Sequence, residues 1–153
     1  MIGIIDYGSG NIEAIRNIYR NLNIDTEIVK KVDDLAKVSK IVMPGVGSFD
    51  SAMSQLNESG LRLALDDAVL KKRTPVLGIC VGMQVMANSS EEGSLKGLGW
   101  VDGTVRRFDS EKIDMLPKLP HMGWNEILCH DTWHPVLDRL PKNAHAYFVH
   151  SYH

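Results

Sequence analysis

Thr74 to Ala87, TPVLGICVGMQVMA, is the stretch on which the fold turns. A Pro follows its first residue, then come residues suited to a buried strand, and Gly78-Ile79-Cys80-Val81-Gly82 reads G-x-C-x-G. That is the nucleophile-elbow pattern with Cys in place of Ser. A sharp strand-to-helix turn forces the central residue into a strained backbone, and the glycines two before and two after have no side chain to collide. Met83, Val85 and Met86 then suit a helix packed on a sheet. The positive end of such a helix, lying beside the sulfur, lowers a thiol pKa, which makes Cys80 a candidate nucleophile. The plain alternative is a small core residue at the end of a buried strand.

Outward from this stretch, apolar runs alternate with helical patterns. Met1 to Ile5 reads as a buried strand that stops at Asp6-Tyr7-Gly8-Ser9-Gly10. Ile12, Ile15, Ile18/Tyr19 and Leu22 recur at helical spacing and predict an amphipathic helix. Ile24 to Val29 predicts a second strand, Val32 to Val38 a short helix or turn, and Ile41 to Met43 a third strand ended by Pro44-Gly45-Val46-Gly47. Ala52 to Ala68 carries an apolar stripe broken near Ser59-Gly60, and Pro75 to Ile79 is the fourth strand. Alternation of this kind implies a parallel sheet with right-handed crossovers. Loops at the carboxyl ends of such strands form the binding crevice. Tyr7–Gly10, Pro44–Gly47 and Cys80 should therefore share one edge, with backbone N–H groups placed near a candidate nucleophile as an oxyanion hole requires.

Beyond Ser90 the pattern changes. Gly103 to Phe108 and Ala144 to Val149 predict strands, and Asn125 to Leu128 a shorter one. All six histidines lie here, and His121, His150 and His153 are each candidates for a general base to Cys80. Cys129-His130 and His134 lack the second ligand pair that a structural zinc site needs, so no metal is expected and solvent-facing histidines are the simpler reading. Trp124 and Trp133 read as packing residues. Gly8-Ser9-Gly10 lacks the third glycine of a dinucleotide loop, position 13 being Glu, and reads as a tight turn with a helix start.

The chain has 153 residues, 44% hydrophobic and 24% charged, which is ordinary for a globular protein with a real core. With no linker, low-complexity segment or internal repeat, residues 1–153 are expected to form one domain. A formal net charge of -2 without a long basic run gives nucleic-acid binding no electrostatic support. Two cysteines make no disulfide framework. The N-terminus carries Asp6 in its first apolar run and has no basic region, so it does not read as a signal peptide. The longest uncharged run, Thr74 to Ser90, is too polar to span a bilayer. A cytoplasmic location is expected.

Six segments carry a resemblance. MPGVGSF (43–49), GICVGMQ (78–84), NSSEEG with GLGW (88–93 and 97–100), PHMGWN (120–125) and YFVHSY (147–152) occur in one order. Together they closely resemble the class I (triad) glutamine amidotransferases, and among them the glutaminase subunits of imidazole glycerol phosphate synthase. The resemblance covers nearly the whole chain. It implies a flavodoxin-like α/β domain, a mainly parallel sheet with helices on both faces, that hydrolyses L-glutamine to glutamate and ammonia without a cofactor. It also implies passage of the ammonia to a (β/α)₈-barrel cyclase partner in histidine biosynthesis. Carried over by position, Cys80 matches the nucleophile that forms a γ-glutamyl thioester. Val81 and the Val46–Gly47 peptide match the oxyanion hole. Gln84 matches a substrate contact, with Gly47, Ser151 and Tyr152 holding the rest of the glutamine. Met122, Trp124, Tyr147 and His150 match the face turned to the partner.

One departure stands out. The superfamily completes its triad with His and Glu in a late F-H-P-E-type motif, which this sequence does not contain; His134-Pro135 is followed by Val136. The expectation is a truncated product or a trimmed piece of a longer enzyme, with the C-terminal part of the domain missing. Such a chain would be a poor glutaminase by itself and would show apolar surface on its sheet. Two other readings stay open at this point: ammonia donation to sugar amidation in surface-polysaccharide synthesis, and a catalytically dead binding module.

Overall fold

The computed structural model describes residues 1–114, 116, 118–128, 137, 140–141 and 143–153. The chain forms two compact units, Met1–Arg106 and Arg107–His153. Cys129, His130, Trp133 and His134 lie outside the described residues.

In the first unit, β1 (Ile2–Ile5), β2 (Thr26–Val29), β3 (Lys40–Gly45) and β4 (Val76–Cys80) form one parallel sheet in the order β2-β1-β3-β4. β1 and β3 are isoleucine- and valine-rich apolar runs cut off by Asp6 and by Pro44-Gly45, which is why they were legible as strands. Pairing of β1 with β3 stops at Ile4↔Val42, whereas β3 continues along β4 to Gly45↔Cys80. The break falls just before Pro44, which has no N–H to give to a ladder. Beyond it, the β1 side of β3 is left to the loop after β1.

Helix α1 (Ile12–Asn21) starts where the Asn11 side chain accepts a bond from the Ala14 N–H. Its stripe is only half-buried at Ile12, Ile15 and Tyr19, and Ile18 is exposed. The predicted long stripe resolves into α2 (Phe49–Glu58) and α3 (Arg62–Asp66), parted at Ser59–Gly60. Phe49, Met53, Leu56, Leu61 and Leu65 are fully buried and form the core with Ile5, Ile41 and Met43. Val32–Lys37 is a 3₁₀ turn.

Two expectations need correction. β4 is not a buried strand: it is the edge of the sheet, and Leu77 is 51% exposed. The helix after it, α4, spans only Val81–Gln84. It stops because Gly97–Val101 takes the carbonyls that a longer helix would use. The N–H groups of Leu98, Trp100 and Val101 bond to the carbonyls of Val85, Met86 and Met86. Two short strands, β5 (Ser89–Ser90) and β6 (Thr104–Val105), pair in parallel; the second is shorter than the Gly103–Phe108 strand expected.

In the second unit, β7 (His121–Glu126) and β8 (His145–His150) form an antiparallel pair. The strand expected at Asn125–Leu128 therefore begins four residues earlier, because pairing along β8 extends it. No helix among the described residues is long and apolar enough to cross a membrane.

Candidate active site

Cys80 ends β4 and precedes α4 with φ 56° and ψ −125°. A non-glycine residue there is strained, and such strain persists only where the surroundings enforce it. The side chain is exposed, so the reading of Cys80 as a buried core residue is set aside. Val81 is the first residue of α4, and a first helical N–H has no partner one turn back. One turn of helix aligns few dipoles, so favourable charge at the sulfur comes from the first amides rather than from a long helix. Gln84 ends the same turn, half-buried.

Gly45 is the register partner of Cys80. A Cβ built on Gly45 would strike the Gly82 N and lie 2.9 Å from the Tyr7 hydroxyl. The elbow and β3 thus approach through bare backbone. Past Gly45, the Val46 N–H donates to Ser9 Oγ at 2.9 Å, and the same hydroxyl donates to the Val46 carbonyl at 3.0 Å. Gly47 takes φ +87°, and no hydrogen bond among the described residues uses its N–H.

Tyr7 was read only as part of a turn. It reaches over Gly45, is 4% exposed, and its hydroxyl has no hydrogen-bond partner among the described residues. Burial pushes the phenol pKa up; the nearby Ser9 hydroxyl lowers it, and negative charge at Cys80 raises it again. The Ser9 oxygen already serves Val46 and does not reach bonding geometry with Tyr7. A phenol pKa raised on folding means that stability is whole below about pH 10, the ordinary value, and declines as pH rises past it. Tyr7→Phe is therefore expected to melt at or slightly above the wild-type temperature at pH 7, since it removes an unsatisfied buried group. Thermal melts repeated at alkaline pH should show a smaller fall for Tyr7→Phe than for the wild type; an equal fall would mean that the phenol is not held in this way.

Two carboxylates that sequence reasoning missed secure the elements around the site. Glu92 accepts from the Phe49 N–H at the start of α2 at 2.8 Å. Asp50 accepts from the N–H groups of Ser94 and Leu95 at 2.9 and 3.0 Å, and these bonds hold its pKa below the ordinary carboxylate value. The pairs are 43 to 45 residues apart, so no local pattern reveals them. The expected packing role of Trp124 belongs instead to Trp100, whose indole N–H donates to Asp66 at 2.7 Å. Trp124 is 71% exposed.

In the second unit, Met122, Trp124, Tyr147 and Val149 share one face of the β7–β8 pair and are all exposed. Trp124 and Tyr147 meet edge to face with centroids 5.7 Å apart. His150 pairs with His121 on the opposite face. Its Nδ1–H donates to the Tyr152 carbonyl at 2.9 Å; the other nitrogen of the neutral ring then accepts from His121 Nδ1–H at 3.1 Å. His121 Nε2 in turn accepts from Asn125 at 2.9 Å. Both rings are thus committed to bonds within their own unit. His153 stacks on Phe108. Ser151 accepts from the Phe108 N–H at 3.0 Å, and Tyr152 bridges to Arg107. No group of residues suited to hold a metal occurs among the described residues.

Residues 3–153 match the family model described as glutamine amidotransferase class-I. The chain is 49% identical over its full length to "Imidazole glycerol phosphate synthase subunit HisH" of Leptospira interrogans, covering 74% of that protein. It is 49% identical over 159 residues to the subunit of the same name from Bdellovibrio bacteriovorus, with 99% of this chain and 74% of that protein covered. A solved structure titled "Crystal structure of glutamine amidotransferase" shares the fold, with TM-score 0.62 at 16% identity over 82% of this chain and 62% of that one. The α/β fold with its parallel sheet is the one these proteins share, and the chain belongs to the class-I glutamine amidotransferase family.

Proposed function

We propose that this chain is the glutaminase subunit of imidazole glycerol phosphate synthase, hydrolysing L-glutamine and handing the ammonia to a cyclase subunit in histidine biosynthesis. The relatives' names and the family match support the activity and the pathway. The observation that carries the chemistry is Cys80, exposed and held at φ 56° on the carboxyl edge of a parallel sheet. Its thiolate attacks the side-chain amide carbon of glutamine, and a C–S bond forms as the carbonyl π electrons move to oxygen. The N–H groups of Val81 and Gly47 stabilise that oxyanion. Collapse expels ammonia once its nitrogen is protonated, leaving a γ-glutamyl thioester, and water then releases glutamate and restores the thiol.

Residues 1–106 contain no histidine, so a histidine base, the usual partner of a thiol nucleophile, would come from outside the first unit. We take residues 1–153 as part of one amidotransferase domain. Gln84, Ser151 and Tyr152 are assigned to glutamine binding. The exposed Met122, Trp124 and Tyr147 face is assigned to a (β/α)₈-barrel cyclase, with His150 set behind it. A cytoplasmic enzyme that binds neither nucleic acid nor membrane fits the net charge of -2 without a long basic run, and the lack, among the described residues, of a helix long and apolar enough to cross a bilayer.

The test is covalent labelling with an electrophilic glutamine analogue, read by peptide mass spectrometry. Modification at Cys80, blocked by excess glutamine, is expected. A probe that leaves Cys80 intact while the subunit is folded would remove the basis of this function.

A further inference from the structure

We infer that Trp100 and Asp66 are positioning residues of the glutaminase site: the hydrogen bond between them anchors the strap of residues 97–101 that fixes Gln84 at the end of α4. The inference rests on the glutaminase reading above, in which Gln84 meets the substrate. It adds two residues to which neither the elbow motif nor the resemblance gives a role.

A single helical turn does not hold itself. Its nucleus fixes several backbone angles for one hydrogen bond, so a helix of four residues must be held from outside. At its start, α4 rests on the sheet. Gly45 is the register partner of Cys80, and Cβ atoms built on Gly78 and Gly82 would strike the backbone of Met83 and of β3. At its end, α4 is held by the strap. The N–H groups of Gly97, Leu98, Gly99, Trp100 and Val101 donate to the carbonyls of Asn88, Val85, Ala87, Met86 and Met86 at 2.8 to 3.1 Å. All four carbonyls that follow Gln84 are thereby taken. A Cβ on Gly97 would strike the Ala87 carbonyl oxygen, so the strap and the segment after Gln84 lie backbone to backbone.

The strap in turn needs an anchor. Val101 is exposed and Gly99 has no side chain, while Leu98 enters the core and the Trp100 ring packs against it. Apolar packing is weakly directional. Direction comes from the Trp100 Nε1–H, which donates to Asp66 Oδ1 at 2.7 Å, and a carboxylate makes the stronger kind of hydrogen bond. Asp66 is the last residue of α3 and follows the fully buried Leu65, so the core sets where its carboxylate stands. Arg62, one turn earlier, donates to the Gly97 carbonyl at 3.3 Å and lies 3.9 Å from the Asp66 carboxylate. Two side chains of α3 thus grip the strap at Gly97 and at Trp100. Loosening that grip lets the strap drift and Gln84 follow, while Cys80 stays fixed to β3.

The test uses the full-length subunit assembled with its cyclase partner. Trp100→Phe keeps a ring and deletes the N–H, Asp66→Ala deletes the acceptor, and Asp66→Asn keeps an acceptor oxygen. The first two are expected to raise KM for glutamine about tenfold, the worth of one hydrogen bond to the substrate, with kcat held. That split marks binding lost equally from ground and transition states. Asp66→Asn should stay near the wild-type KM. Alkylation of Cys80 by iodoacetamide and turnover driven by an ammonium salt should be unchanged in all three. A merely structural role would reduce the amount of working enzyme, and so kcat, at constant KM. That pattern overturns the inference. So does an unchanged KM, slower alkylation, a fall in ammonium-driven turnover, or an Asp66→Asn variant that behaves like Asp66→Ala. Gln84→Ala separates this inference from the reading beneath it. If Gln84→Ala raises KM and Trp100→Phe does not, the inference falls and the glutaminase reading stands. A wild-type complex that alkylates at Cys80 yet turns over no glutamine would overturn both.

Discussion

Cys80→Ser should lower glutamine turnover by at least about 10⁴-fold, the scale seen when a nucleophile is removed from an otherwise intact site. Synthase turnover supplied with an ammonium salt should be unchanged. The two substrates separate because the elbow is needed only to release ammonia from glutamine. A serine hydroxyl fits the same strained turn but stays protonated at neutral pH, and the first unit has no histidine to activate it. Oxygen in place of an exposed sulfur removes no core contact, so the melting temperature should stay close to that of the wild type. Ammonium-dependent turnover is the internal control: if it falls together with glutamine turnover, the substitution has damaged the assembly rather than the nucleophile. If Cys80→Ser still hydrolyses glutamine, another group carries the reaction.

How much of this was legible beforehand depends on how local each cause is. The strands β1 and β3 were readable because each is an apolar run ended by residues that cannot continue it, and β4 because its run follows Pro75 and leads into the glycine pattern of the elbow. Cys80 was readable because glycines at fixed offsets are a local requirement of the turn. Burial was not. The expected core strand β4 lies at the edge of the sheet, and the stripe of α1 stays half-exposed, since both depend on what covers them. The length of α4 was unreadable for a similar reason: its carbonyls are taken by residues 97–101, more than ten positions away. β7 starts at His121 because the partner strand decides it: Met122 and Trp124 alternate with His121, Gly123 and Asn125, but so short an alternation interrupted by a glycine is a weak strand signal by itself. Ser9 and Val46 are 37 residues apart and meet only at the sheet edge. The site was therefore visible as a nucleophile in a turn, while the contacts between distant segments around it were not.

Gly82→Ala tests the packing that makes the turn possible. Gly82 is buried in α4, and a Cβ there would fall on the Met43 carbonyl oxygen, with the Pro44 and Met43 carbonyl carbons at 2.7 and 2.8 Å. All three are backbone atoms of β3, which is paired on both sides over part of its length, so no flexible side-chain end can swing away. The methyl can be housed only by lifting the elbow from the strand. Overpacking of this kind costs about 3 kcal/mol or more, which at this chain length lowers the melting temperature by roughly 10 °C. Activity should fall further than stability, because Cys80 lies two residues before the added methyl, and a displacement of about 1 Å at a reacting atom costs about 10²-fold. Gly103→Ala is the matched control: nothing lies within 4 Å of its Cβ position and its φ is ordinary, so its melting temperature should stay near the wild-type value. If Gly82→Ala melts like Gly103→Ala, the elbow does not rest on β3 through bare backbone, and the strain at Cys80 must be held by something else.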